Sequence, residues 1–159
     1  MHYFVKEKRN LFPFNVWALG DIIPLPDLDT HSGGSISYQS ITDCSQCSNY
    51  QLKLTVSTSN TRPYVRYRFN DVSDLIGKQV SYAAYVKTTE PLKLGIYQHD
   101  GSSYSSSQVD TPGNTEDIYS VSSTVSEDTV SLWIGVEFKQ AQNQGAYFYT
   151  DNWSLMITQ

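Results

Sequence analysis

Trp133 with Glu137, Tyr97 with His99, Tyr85 with Lys87, and Tyr64 with Arg66 and Arg68 are the groups whose types and spacing could do chemistry. In each, a flat ring stands two or four residues from a side chain that makes strong hydrogen bonds. Successive side chains of an extended chain point to opposite sides, so these spacings put ring and polar group on one side. Such rings stack on the apolar face of a pyranose, while planar polar side chains take its hydroxyls in pairs. The candidate binding residues are therefore Trp133, Tyr97, Tyr85, Arg66, Tyr64, Glu137 and His99. Plainer roles exist for the same residues. Trp133 could lie under a loop, Tyr85 and Tyr97 could serve as cross-strand pairs that steady a sheet, and His99 could simply end a strand. Arg66 and Arg68 would also suit a solvated edge that discourages aggregation.

Other chemistries find little support. A glycosidase holds two carboxylates across a cleft, whereas Asp100, Asp110, Glu116, Asp117, Glu127 and Asp128 fall in stretches that read mostly as loops. No serine sits in G-x-S-x-G, and no glycine run joins a strand to a helix as a phosphate loop would. The reading is of a protein without catalytic residues. Cys44 and Cys47 form one C-x-x-C in a polar loop. Zinc would need two more ligands, and His2, His31 and His99 do not pair locally. A small disulfide-closed loop is the first reading, with free thiols and metal behind it.

Composition narrows the class. The chain has 159 residues, 39% hydrophobic, with twelve Tyr, six Phe and three Trp. Charged residues make up only 17%, below the ~25% of an ordinary soluble domain. The aromatic content excludes intrinsic disorder, and the low content of charged helix formers excludes a long helical bundle. A net charge of −5 argues against nucleic acid, whose phosphates call for clustered Lys and Arg, and against a basic membrane-surface module. Membrane insertion is not expected either: Leu11 to Leu19 is broken by Pro13 and Asn15, far short of the ~20 apolar residues of a span. The opening Met1 to Arg9 has no apolar signal core. An extracellular site is still expected, either after loss of a leader or by release in a virion on cell lysis.

These residues need strands to hold them, and period-two alternation recurs along the chain. Strands are predicted over Gly34–Ile41, Gln51–Thr58, Arg62–Phe69, Val80–Lys87, Leu92–His99, Ile118–Val125, Val130–Phe138 and Ala146–Ile157. Asn70 to Lys78 reads as a turn, at most one helical turn closed by Gly77. Asp100 to Glu116 reads as a long exposed loop with brief edge pairing around Tyr104. Val130, Leu132, Ile134, Val136 and Phe138 are expected to face the core, as are Tyr67 and Tyr82, while Trp153 reads as structural. The fold class is all-β: an antiparallel β-sandwich or jelly roll of about nine or ten strands. Residues 1–9 form an N-terminal arm and residues 10–159 a single domain. If the strands bearing Tyr64, Tyr85, Tyr97 and Trp133 share the concave sheet, their rings make one platform.

Four segments carry a family resemblance. Gly77-Lys78-Gln79-Val80-Ser81-Tyr82-Ala83-Ala84-Tyr85-Val86-Lys87-Thr88 resembles the "G-K-x-Y-x-x-S-A-Y-V-K-T" strand of galactose-binding-like carbohydrate-binding modules. Ile118 to Val125 resembles their "W-x-R-v-S-x-T-F" strand, with Asp117-Ile118 where the Trp would stand. Gly145 to Leu155 is similar to their closing "G-x-x-Y-I-D-D-V-x-L". Arg9-Asn10-Leu11 followed by Trp17 resembles the opening of tail proteins from phages of Gram-positive bacteria. The resemblance spans roughly residues 9 to 158. It implies a jelly roll that binds cell-surface polysaccharide without catalysis, as part of a phage tail or baseplate. An accessory module of a secreted polysaccharide hydrolase, or a structural interaction domain of a virion, are its alternatives; other virion or enzyme domains would then be partners. It also implies a structural calcium, which needs several oxygen ligands. Of its acidic positions only Asp151 is kept here, with Asn152 in the second and Phe14-Asn15 at the opening.

Overall fold

Alternating apolar residues draw this chain into two stacked sheets. The computed structural model describes residues 28–30, 33–40 and 50–158. Ten strands run through them: β1 (Leu28–Thr30), β2 (Gly34–Ser40), β3 (Tyr50–Val56), β4 (Tyr64–Phe69), β5 (Gln79–Thr88), β6 (Leu92–His99), β7 (Tyr104–Asp110), β8 (Thr115–Thr124), β9 (Ser131–Phe138) and β10 (Tyr147–Ile157). The front sheet has the order β1-β4-β9-β6-β7 and the back sheet β2-β3-β10-β5-β8. All pairings are antiparallel. This is the expected all-β sandwich. The N-terminal arm, the Arg9-Asn10-Leu11 opening with Trp17, His2, His31 and the Cys44/Cys47 loop lie outside the described residues.

One face of each sheet closes the core. Leu94, Ile96, Leu132, Ile134, Val136 and Phe138 of the front sheet meet Leu52, Leu54, Tyr82, Val86, Phe148, Trp153 and Leu155 of the back sheet, all at 0 or 1% exposure. Removing that apolar area from water is the main driving force for folding. Edge-to-face rings knit the interior: Phe138 on Phe148 at 5.1 Å and Tyr82 on Trp153 at 5.4 Å between centroids. Both geometries suit the ring quadrupoles. Trp153 is the core residue its position suggested; its indole N–H donates to Thr150 Oγ1 at 2.7 Å.

The core also holds one polar clamp. Gln98 of β6 is buried, and its amide makes four hydrogen bonds. Nε2 donates to Ser123 Oγ and to the Thr124 carbonyl, both at 3.0 Å. Oε1 accepts from the Ser126 N–H at 2.9 Å and the Thr129 hydroxyl at 2.8 Å. A strand of the front sheet is thereby tied to the end of a back-sheet strand and to the turn after it.

Three expectations are corrected. Tyr104–Asp110 is a seven-residue edge strand on β6 rather than loop. Its serines give no apolar alternation, and it is held by main-chain bonds to its neighbour, with Val109 packing on the core. β8 correspondingly begins at Thr115, inside the predicted loop. Val130 is 53% exposed, in the turn before β9 rather than in the core. The segment after β4 is, as expected, a single helical turn, of 3-10 type at Ser73–Leu75, followed by Gly77 at φ +78°.

Candidate functional site

Register turns the outward face of the front sheet into a grid. Its rows run Tyr64–Glu137–Lys93–Asp110, Arg66–Gly135–Gly95–Gln108, Arg68–Trp133–Tyr97–Ser106, and Ser131–His99–Tyr104, from β4 or β9 across to β7. Neighbouring strands are ~4.8 Å apart and rows ~7 Å apart. Tyr64, Arg66, Trp133, Glu137, Tyr97 and His99, six of the seven binding candidates, therefore share one surface.

The second row is the structural key. Gly135 and Gly95 stand side by side in the two central strands, and glycine inside a strand marks close approach of another group. Here the neighbouring side chains fold into the space. The Tyr97 ring lies across Gly95, with its ring carbons 2.6–2.7 Å from where a Cβ would stand. The stem of Arg66 crosses Gly135, with Cγ 2.6 Å from the corresponding point. As a result Tyr97 is only 7% exposed and Glu137 only 8%. The Tyr97 hydroxyl donates to Glu137 Oε1 at 3.2 Å and accepts from Gln108 Nε2 at 3.5 Å. Burial first, then the negative charge of Glu137, pushes the Tyr97 phenol up to about 12. Tyr97 and Glu137 form a fixed floor rather than the open surface their alternation suggested.

Above this floor the cations lie on the rings. The Arg66 guanidinium is 3.8 Å from the Tyr64 centroid and 4.4 Å from that of Tyr97. Arg68 lies 5.0 Å from the Trp133 ring. Tyr64 and Trp133 are half-buried, leaving ring surface at the solvent boundary. Beside Tyr64 opens a cleft of about 530 Å³ lined by Asn60, Arg62, Tyr64, Arg66, Glu137 and Ala141. His99 closes the last row: its ring packs on Tyr104 at 4.5 Å, and Nδ1 accepts the Gly101 N–H at 3.2 Å. It holds the β6–β7 turn together with Asp100, whose carboxylate takes the Ser102 and Ser103 N–H groups at 2.9 and 2.8 Å.

Tyr85 does not join this surface. β5 belongs to the back sheet, where Tyr85 is 1% exposed and its hydroxyl donates to Glu116 Oε2 at 2.8 Å. Lys87, its neighbour in sequence, reaches Glu116 at 3.9 Å. The single platform of four strands is thus a platform of three, β4, β9 and β6, bordered by β7. Asp151 is also on the back sheet, fully buried, at an irregularity where Asn152 takes φ +50°. Calcium takes six to eight oxygens, and no cluster of three or more acidic, His or Cys residues is present among the described residues. The donor set around Asp151 on these residues does not by itself make up such a shell; the opening segment lies outside them.

Residues that sequence reasoning passed over complete the face. Lys93 stands between Glu137 and Asp110, and Gln108 lies in the stretch taken for loop. Gly95 and Gly135 were the available signal: two glycines within otherwise regular strands, pointing to a crowded outer face.

Neither family models nor curated proteins match this sequence. Solved structures do match. One is the module TmCBM61 in complex with β-1,4-galactotriose, at TM-score 0.63 and 14% identity over 94% of this chain and 99% of that one. Another is the CBM22-1 xylan-binding domain of Paenibacillus barcinonensis Xyn10C, at TM-score 0.59 and 13% identity over 83% of this chain and 86% of that one. The fold is that of the jelly-roll carbohydrate-binding modules. The enzymatically active domain of bacteriophage CBA120 tailspike protein 4 also matches, at TM-score 0.62 and 11% identity over 83% of this chain, which spans only 19% of the tailspike chain. At such identities the likeness is one of backbone architecture, and function has to be argued from the site.

Proposed function

We propose that this chain is a non-catalytic carbohydrate-binding domain whose binding surface is the outward face of the front sheet. The observation that carries the reading is the grid itself. Tyr64 and Trp133 offer ring surface at the boundary with solvent, beside Arg66, Arg68, Gln108 and the cleft of about 530 Å³. Stacking on sugar faces and paired hydrogen bonds to hydroxyls need that combination. Three interstrand steps from β4 to β7 amount to ~14 Å, a length suited to an oligosaccharide rather than one ring. Matches that bind galactotriose and xylan support the reading at the level of fold. Binding rather than hydrolysis fits the carboxylates: Glu137 is held by the Tyr97 hydroxyl, and Asp110, two strands away, is paired with Lys139 at 2.8 Å. No free acid faces Glu137 across the cleft among these groups.

The finer part of the proposal is biological. The tailspike match, together with the tail-like opening of the sequence, favours adhesion of a phage tail or baseplate component to host-wall polysaccharide, outside the cell. A glycan array and pull-down on purified cell walls test both parts. The expected result is binding to at least one polysaccharide, reduced at least tenfold by Trp133→Ala or Tyr64→Ala in variants that keep the wild-type melting profile. Absence of binding to every polysaccharide would sink the proposal; binding unchanged in both variants would remove this face from it.

A further inference from the structure

Among the described residues, the cations of the front face lack the acidic partners that cations in proteins ordinarily find. Among the described residues Arg66 makes no hydrogen bond and no ion pair; its contacts are the two tyrosine rings. Arg68 lies over the Trp133 ring, and among the described residues neither Arg68 nor Lys93 makes an ion pair. Three carboxylates belong to the same part of the sheet. Glu137 is buried and takes the Tyr97 hydroxyl, and Asp110 is engaged by Lys139. Asp29 of β1 stands opposite Arg66 in the backbone register. In a protein of net charge −5, this face gathers Arg66, Arg68 and Lys93 within three adjacent strands.

The way Arg66 is held matters as much as its charge. Its guanidinium carbon stands over the Tyr64 and Tyr97 rings at 3.8 and 4.4 Å, while its N–H donors make no hydrogen bond among the described residues. Gly135 lets the stem descend, and the two rings hold the charged head over the sheet before any ligand arrives. A preorganised planar fork without an acceptor matches a planar or tetrahedral oxyanion, which it can take through two parallel bonds. A neutral sugar can offer such a fork paired hydroxyls, but no charge to answer the guanidinium's own. Ring faces already carrying guanidiniums also leave less area for simple stacking, which moves recognition from stacking towards charge.

We infer that the ligand of this face is an acidic saccharide, one whose repeating unit carries a carboxylate or phosphate received by Arg66, with Arg68 and Lys93 beside it. This inference rests on the carbohydrate-binding proposal above and names the class of sugar. The shared chemistry is an oxyanion on a polyhydroxylated chain; uronate and phosphodiester polymers are its two sources.

Matched probes distinguish them. Polygalacturonate and glucuronoxylan oligomers would be compared with their carboxyl-reduced counterparts, and a poly(glycerol phosphate) chain with free glycerol, by titration calorimetry at 0.15 M salt. At that ionic strength the Debye length is ~8 Å, so contacts within the face outweigh the negative charge elsewhere. The expected result is at least tenfold tighter binding of one acidic probe than of its neutral partner. In Arg66→Gln that ratio falls towards one, while Arg66→Lys retains part of it because charge survives without the fork. Preference for a uronate assigns the carboxylate source, and preference for the phosphate chain assigns the other. Equal or tighter binding of the neutral partners would overturn this inference and leave carbohydrate binding standing. Failure of the acidic and neutral probes alike would overturn it too, and if cell-wall binding were also absent the wider proposal would fall with it. Circular dichroism and melting of the Arg66 variants control for folding, since Arg66 gives no hydrogen bond that its removal would orphan.

Discussion

At the scale of single residues, two tyrosines show how position decides a side chain's role. Tyr82 lies in the core with its hydroxyl buried and without a partner, and burial holds its phenol well above its usual value. Tyr97 is nearly as enclosed, yet its hydroxyl bridges Glu137 and Gln108. Its phenol, pushed up to about 12, links stability to alkaline pH with a definite sign. The folded value lies above the unfolded one of ~10. The resulting stabilisation is whole below pH ~10 and is lost as pH rises through about 12. Between pH 9 and 11 the wild type should lose about 1 kcal/mol more stability than Tyr97→Phe. Urea denaturation of both proteins at the two pH values measures this, and parallel losses would contradict the burial of the Tyr97–Glu137 pair.

At the scale of elements, the front sheet owes its attachment at one end to Gln98. Its four bonds join β6 to the end of β8 and to the turn that leads into β9. Gln98→Leu fits the apolar surroundings but leaves the Ser126 N–H and the Thr124 carbonyl to find new partners in a closed site. Each buried group so abandoned costs about 1–3 kcal/mol, so a loss of about 2–4 kcal/mol in chemical denaturation is expected. Retention of wild-type stability would show that the amide is not a clamp. The strand β7 makes a contrasting case. It has little apolar content and pairs along a single edge, so its stability comes from main-chain bonds to β6 and from the Asp100 turn before it. Gln108 reaches Tyr97 only because that edge forms.

At the scale of the molecule, the proposed binding face is a shallow one on a two-sheet sandwich. A ligand on it would be little enclosed, so the expected affinity per site is low, with avidity supplying the rest; an array of linked sites can exceed a single site by 10²–10⁴. The monomeric domain should therefore bind the active polysaccharide weakly in solution. A multivalent display of the same domain, on a bead or a fused trimer, should retain it at least a hundredfold more strongly. Surface plasmon resonance at high and low domain density checks this, and density-independent affinity would argue for an enclosed site instead.

Much of this was legible from the residues in order. Period-two alternation in Val80 to Lys87, Leu92 to His99 and Val130 to Phe138 specifies strands and tells which side chains share a strand face, because side-chain direction alternates locally. The all-β class, the core roles of Tyr82 and Trp153 and the outward pairing of Trp133 with Glu137 all follow from that rule. Alternation is silent on which strands become neighbours. Pairing is a long-range event, and β5 could have carried Tyr85 to either sheet; the crossover topology sent it to the back and buried it. Nor does alternation measure exposure on the outer face. Only the register that set Gly95 beside Gly135 sank Tyr97 and Glu137 into a floor and brought Arg66 over the rings. Local stereochemistry wrote the strands and their two sides; the packing of distant segments decided which outward residues came together as the proposed binding surface.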